Sequence, residues 1–263
     1  MIARTSAVIE AGGVLGEVSC TPPLTLRQVH GDTAGRCELR LVGTAAGPLA
    51  GDDLSISLRL RAGARATLAA TGASLAQGRD HPGTEDGRDR HGTGGHGTGG
   101  HGTGGAAATL AIRADLADGA DLVADPGTLV VCRGSRVDVH VELTLGAGAT
   151  VQWRELIVLG RTGEPAGQAT LRWDVTRLGR PVLRQFVDLA DPMLTAWGGL
   201  TGRRRVLACA LICDPARAAR TLVASATAVA QRVDDHTVLV TVLDDDASGA
   251  TRTLEELCVR AQG

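Results

Sequence analysis

"RVDVHVELTLGAGATVQW", residues 136–153, is the stretch whose reading decides the fold. Val137, Val139, Val141, Leu143 and Leu145 alternate with Arg136, Asp138, His140, Glu142 and Thr144. Successive strand side chains point to opposite faces, so this alternation describes a strand with one face buried. A Gly-Ala step at Gly148-Ala149 breaks the pattern, and a second apolar stretch follows it.

The same unit occurs twice upstream. In "LSISLRLR", Leu54, Ile56, Leu58 and Leu60 form the apolar row, and Gly63-Ala64 follows. In "TLAIRADL" the row is Leu110, Ile112, Ala114 and Leu116, and Gly119-Ala120 follows. Gly119 and Gly148 are 29 residues apart (148 − 119), whereas Gly63 and Gly119 are 56 apart (119 − 63). Removing 27 residues (56 − 29) would restore an even period. Residues 77–105 are the obvious excess, with almost no apolar side chain and three copies of HGTGG at 91–105. Such a segment cannot offset its ordering entropy by burial and is read as a disordered loop inserted between two strands. Repeats of this length predict a mainly β fold of stacked layers, solenoid-like or sandwich-like. A plain antiparallel sandwich would give a similar pattern.

The C-terminal third changes character. "VLACALIC" and "HTVLVTVL" read as strands. Between them, Asp214-Pro215 resembles a helix start, and "ARAARTLVASATAVAQR" reads as an Ala-rich helix with Leu222, Ala226 and Val229 on one stripe. Ser248 or Thr251 is the expected cap of a closing helix through "TLEELCVRA". The expectation is one domain over 1–263 with about two C-terminal helices.

Composition excludes several classes. Lys, Asn and Tyr are absent, and the net charge is −2, which gives no basic surface for nucleic acid. Apolar residues make up 43% of the chain, but one Phe and three Trp leave an aliphatic core. Six scattered cysteines without a Cys-x-x-Cys pair read as buried thiols in a reducing compartment. "MIARTSAVIEAGG" lacks the apolar stretch of a signal peptide, and no segment reaches the ~20 apolar residues of a membrane span. The expected setting is therefore cytoplasmic. Phosphate-loop, dinucleotide-binding, nucleophile-elbow and His-Glu-x-x-His motifs are all missing.

The remaining polar features are few. His140 sits between Asp138 and Glu142 on the polar face of its strand, a solvated cluster or a weak divalent-cation stop. "WRELIVLGRTGEP" runs a strand into a tight turn holding Arg161 and Glu164, and Asp244 to Asp246 read as a solvated turn.

These segments resemble a known family. "GTAAGPLAGDDLSISLRLRAGARATLAATGAS" is similar to the stretch of the urease accessory UreD (UreH) family that ends in Gly-Gly-Asp before an amphipathic strand and a Gly-Ala turn. Gly51 and Asp52 fall on that motif. "LVADPGTLVVCRGSR" resembles the family's Pro-containing segment through Asp125 and Pro126, and Gly160, Arg161, Gly163 and Glu164 match its Gly-Arg…Gly-Glu signature. The family's Thr-Thr-Gln-Ala-Ala-Thr-Lys run is replaced here by Ala69 to Leu75, and its opening Asn by Gly43.

The resemblance implies a non-enzymatic chaperone of urease maturation that binds apo-urease and the accessory proteins UreF and UreG. It implies help in passing Ni²⁺ from the GTPase UreG towards urease through a polar interior passage, with no tightly bound cofactor. A transfer route needs weak serial ligands, because a closed site would retain the metal. Asp52, His140, Glu142, Glu155 and Glu164 are the candidates for that route. His81, His91, His96 and His101 on the Gly-rich insert form an auxiliary nickel-binding set, since neutral imidazole is a good Ni²⁺ ligand. The alternative for that insert is a tolerated product of replication slippage. Two other functions stay open from the residues alone. One is a carbohydrate-acting enzyme, which would need a carboxylate pair in a cleft lined by Trp153, Trp173, Trp197 or Phe186. The other is a nickel-storage protein built on the His-rich loop.

Overall fold

The computed structural model describes residues 1–31, 33–78, 106–190 and 201–262. Each Gly-Ala step carries the chain from one sheet to another. Strands β1 (Ile2–Glu10) and β2 (Val14–Ser19) open a first sheet; β3 (Leu24–Val29) and β4 (Cys37–Gly43) open a second. The three repeat units follow. β5 (Asp53–Leu60), β8 (Ala108–Leu116) and β11 (Arg136–Leu145) lie in the first sheet. Their partners β6 (Arg65–Ala70), β9 (Asp121–Asp125) and β12 (Thr150–Leu159) lie in the second, with short strands β7 (Ser74–Ala76) and β10 (Thr128–Val131) beside them.

Within each sheet the repeat strands run parallel and in register. Ile56 faces Ile112, and Ile112 faces Val141, so identical positions of successive units stack into apolar ladders. The turns stack as well. Gly63, Gly119 and Gly148 all have φ between 64° and 68°, a left-handed conformation that glycine adopts without a Cβ clash. The Gly63 N–H donates to the Asp118 carbonyl at 2.9 Å, and the Gly119 N–H to Ala147 at 2.8 Å. Layered β-arches are therefore the observed form, and the plain antiparallel sandwich is excluded for this half.

The chain then closes the layers. β13 (Gln168–Arg177) adds a fifth parallel strand to the first sheet, after β1, β5, β8 and β11, and β14 (Arg180–Asp188) turns back beside it. The second sheet is extended by antiparallel strands β15 (Val206–Cys213), β18 (Thr237–Asp244), β17 (Ala228–Asp234) and β16 (Leu222–Ser225). Helix α1 (Ala247–Gln262) covers the outer face of that extension, burying Leu254, Leu257 and Cys258 against Ala208, Ala210 and Val240.

The C-terminal helix expectation needs correcting. The Ala-rich segment holds the strands β16 and β17, and α1 is the helix among the described residues. Asp214-Pro215 makes a single turn, closed by the Ala216 N–H on Asp214 Oδ1 at 2.9 Å. The reason is tertiary: β18 would otherwise leave an open edge, and β17 pairs with it while Ala228 and Ala230 bury under α1. The closing helix is as expected, but its cap is Asp246, whose Oδ2 accepts the Gly249 N–H at 2.7 Å. Gln77 is bridged to Leu49, so regular structure extends into the first residue of the segment read as an insert. Residues 79–105 lie outside the described residues. Among those described, no helix is long and apolar enough to cross a membrane.

Candidate functional site

The second sheet is perforated. β9 pairs with β12 as far as Ala124 opposite Trp153, and β10 resumes that pairing with Thr128 opposite Leu156. The neighbouring pair breaks in step: Ala69 lies opposite Asp125, and pairing resumes with Ser74 opposite Leu129. Residues 71–73 and 126–127 thus leave a gap beside Arg154 and Glu155. The local sequence explains it. Pro126 has no N–H to give a ladder, Gly127 has φ +91°, and Asp125 Oδ1 captures the Gly127 N–H at 3.0 Å in a side-chain turn.

Glu155 stands at this gap. It shares the inward side of β12 with Trp153 and Ile157, both in the core between the sheets, and is itself 5% exposed. Leu156 belongs to the other side, under α1. Yet Arg154, Glu155 and Leu156 line one cavity of about 360 Å³, together with Asp125, Thr128, Thr251 and Leu254. Residues of both faces of one strand border it because the sheet is open there. A second cavity, of about 290 Å³, lies beyond the segment 70–73 and reaches Leu54 and Leu110 of the first sheet. Ala70, Thr71, Gly72 and Ala73 line both cavities, so this run of small residues is the wall between them.

Burial dominates the electrostatics. It raises Glu155 from 4.5 to about 8, against the opposing hydrogen bond from Trp153 and with added repulsion from Asp125. The Trp153 Nε1–H donates to Glu155 Oε1 at 2.9 Å. At neutral pH the carboxyl is held mostly protonated, and a cation binding there must displace that proton. Cys209, directly across the strand pair, is pushed up to about 12 by burial and stays a thiol. Arg154 Nη1 reaches Glu255 of α1 at 3.2 Å on the rim. Among the described residues no three His, Cys, Asp or Glu side chains form a group able to hold a metal ion.

The other sequence candidates are dispersed. Asp52 is 3% exposed and engaged: Oδ1 lies 2.7 Å from the Met1 ammonium and Oδ2 accepts the Leu49 N–H at 2.9 Å. It lies behind the wall of the smaller cavity, since a Cβ on Gly47, which lines that cavity, would come 3.7 Å from its Oδ2. His140 and Glu142 lie on the outer face of the first sheet. His140 Nε2 is 2.9 Å from Asp174 Oδ2, and Arg113 Nε donates to Glu142 Oε2 at 2.9 Å. They do not converge with Glu155. Glu164 closes its own turn, accepting from the Arg161 N–H and Nε at 3.1 Å, and that backbone bond holds its carboxyl below the usual range.

The motif glycines have steric roles. Gly51 has φ +78° and donates to the Ala106 carbonyl at 2.8 Å. Gly160, also at φ +78°, would place a Cβ 2.8 Å from the Pro165 carbonyl oxygen; Gly163 has φ +76°. His81, His91, His96 and His101 lie outside the described residues.

Sequence reasoning placed Asp125 among structural motif residues and missed that it shares a cavity with Glu155. The register of stacked arches was the signal available, because it sets the end of β9 beside Trp153. It also missed Trp153 as a partner of Glu155. An aromatic-lined cleft does not form among the described residues: Trp153 and Trp173 are both 0% exposed, and Phe186, 64% exposed, lies on β14 at the edge of the first sheet.

Comparison with known proteins gives the family. The sequence profile of the family described as UreD urease accessory protein matches residues 5–263. A urease accessory protein UreD from Parafrankia sp. (strain EAN1pec) is 31% identical over 95% of this chain and 84% of its own length. UreD 1 of Saccharopolyspora erythraea is 30% identical, covering 78% of this chain and 72% of its own. UreD 1 of Streptomyces griseus is 34% identical over 66% of this chain, and the match spans 59% of that relative. A profile that covers nearly every residue, motif glycines included, leaves one assignment: the chain belongs to the UreD family of urease accessory proteins, and its role lies in urease maturation.

Proposed function

We propose that this chain is a non-catalytic scaffold that binds apo-urease and the accessory proteins UreF and UreG, and that it relays Ni²⁺ towards the urease active site. Nickel is cargo, with no resident cofactor, and the compartment is the cytoplasm. The observation that supports this reading best is the buried Glu155 at a gap in the second sheet, with a cavity on it and another behind a thin wall. A buried carboxylate with one neighbouring carboxylate is a weak stop for a cation, and weak stops in series suit transfer. Glu155 and Asp125 are the first stop, and the wall 70–73 is crossed next. His140 and Glu142, each already paired on the outer face, serve the surface, and an exposed pair such as Arg113–Glu142 contributes little to stability.

The test is a reconstituted maturation mixture in which nickel bound to urease is measured. E155Q is expected to reduce loading several-fold, whereas E142Q leaves it unchanged. Loading by E155Q equal to wild type would overturn the relay through Glu155.

A further inference from the structure

The core holds two indoles that differ in one respect. Trp153 and Trp173 are both fully buried, yet Trp173 Nε1 has no hydrogen-bond partner while Trp153 Nε1 is bonded to Glu155. Volume alone therefore accounts for a tryptophan in this core without a polar partner, and the contact at position 153 calls for a separate reason. Residues 153 and 155 point the same way from one strand, so the indole edge meets the carboxyl with both rotamers fixed by packing. The indole nitrogen is a donor only, and it cannot reverse the bond when the carboxyl changes protonation. Among the described residues, Trp153 is the hydrogen-bond partner given to Glu155. One oxygen is thereby oriented and occupied, and the residue lines the cavity.

We propose that Trp153 is a positioning residue for cargo transfer: its N–H holds the Glu155 carboxyl at one oxygen, so that the group is presented to the cavity in an orientation that can take a divalent cation. This rests on the reading of Glu155 as a nickel stop. A hydrogen bond to a charged group in a low-dielectric core is stronger than a neutral one. Without it, the carboxyl would lose its fixed orientation towards the cavity and capture the cation more weakly.

The test separates capture from amount of working protein. In the reconstituted mixture, urease loading is followed against Ni²⁺ concentration for the full-length chain and for W153F. The expected result is a half-maximal nickel concentration raised roughly tenfold, with the plateau retained, which is the low end for a hydrogen bond to a charged group. A lowered plateau with an unchanged midpoint would mean a structural role and overturn the proposal. A spectroscopic readout covers the case in which W153F fails to fold. In ¹⁵N-tryptophan-labelled protein, the Trp153 indole signal should shift in E155Q, which keeps an acceptor but loses the charge. Ni²⁺ should broaden that signal in the wild type and not in E155Q. An indole signal untouched by Ni²⁺ overturns the proposal. Normal loading by E155Q would instead remove the nickel stop itself, whereas impaired E155Q with an unshifted W153F midpoint removes only the role of Trp153.

Discussion

Glu155 carries a proton that the unfolded chain would give up. Its pKa is raised from 4.5 to about 8 by burial, so between those values the folded state binds one proton more than the unfolded state. The associated stability is fully present below 4.5 and is lost as pH rises through about 8. E155Q stays neutral throughout and should not show that loss. Relative to E155Q, the wild type is expected to weaken by on the order of a few kcal/mol from pH 5 to pH 8. Denaturant melts of both proteins across that range check this, and parallel curves would contradict it. Gly127 is a second sensitive point: at φ +91°, an added Cβ would lie 2.6 Å from the Ala70 Cβ. G127A is expected to cost about 2 kcal/mol or more, and to push on the wall between the cavities, so loading should fall with it. The candidate carboxylates were legible as residue types, but charge and motif position did not separate Glu155 from Glu142. Each follows the strand alternation differently: Glu142 sits on the polar row, whereas Glu155 breaks the apolar row of its strand, and that break marks the buried carboxylate.

At the scale of elements, local propensity failed where an edge needed a partner. The segment 216–232 is rich in Ala, which favours helices, but propensity amounts to less than about 1 kcal/mol per residue and tertiary pairing overrides it. Val223 and Val229 pair across β16 and β17, and β17 lies along β18. The opposite holds for α1, where a strong local signal survives. Asp246 caps it through the Gly249 N–H at 2.7 Å, and D246A is expected to destabilise the protein by about 1 kcal/mol, read from thermal melts. Arg177 joins elements across the sheets. Nη2 meets Cys213 Sγ at 2.6 Å and Thr237 Oγ1 at 2.7 Å, and Nη1 lies 3.2 Å from Asp234 Oδ2. R177A should cost about 2 kcal/mol, and R177K should not rescue it, because a single ammonium cannot span three acceptors held by separate strands.

At the scale of the molecule, the period of 29 residues is the organising quantity. The 27 residues by which the first interval exceeds it equal the number in 79–105 (105 − 79 + 1). Replacing 79–105 with a short Gly-Ser link should leave the melting temperature within a few degrees of wild type, since the segment offers almost no apolar side chain to bury. A large drop would show that the segment takes part in the fold. The same variant, assayed for urease loading at limiting nickel, decides whether His81, His91, His96 and His101 matter for supply.

By itself the sequence determined the strand–turn–strand repeat, its period, the closing helix and the family, because alternation and Gly-Ala turns are local and repeat. That the units stack as parallel arches was decided by the tertiary structure. The family's motif carried the rest of the assignment. Only the tertiary structure decided that two neighbouring strands break in step, that Glu155 faces this gap with Asp125 beside it, and that His140 and Glu142 look outward. Those facts depend on register between strands far apart in the chain, and register is set by how whole ladders of side chains pack together.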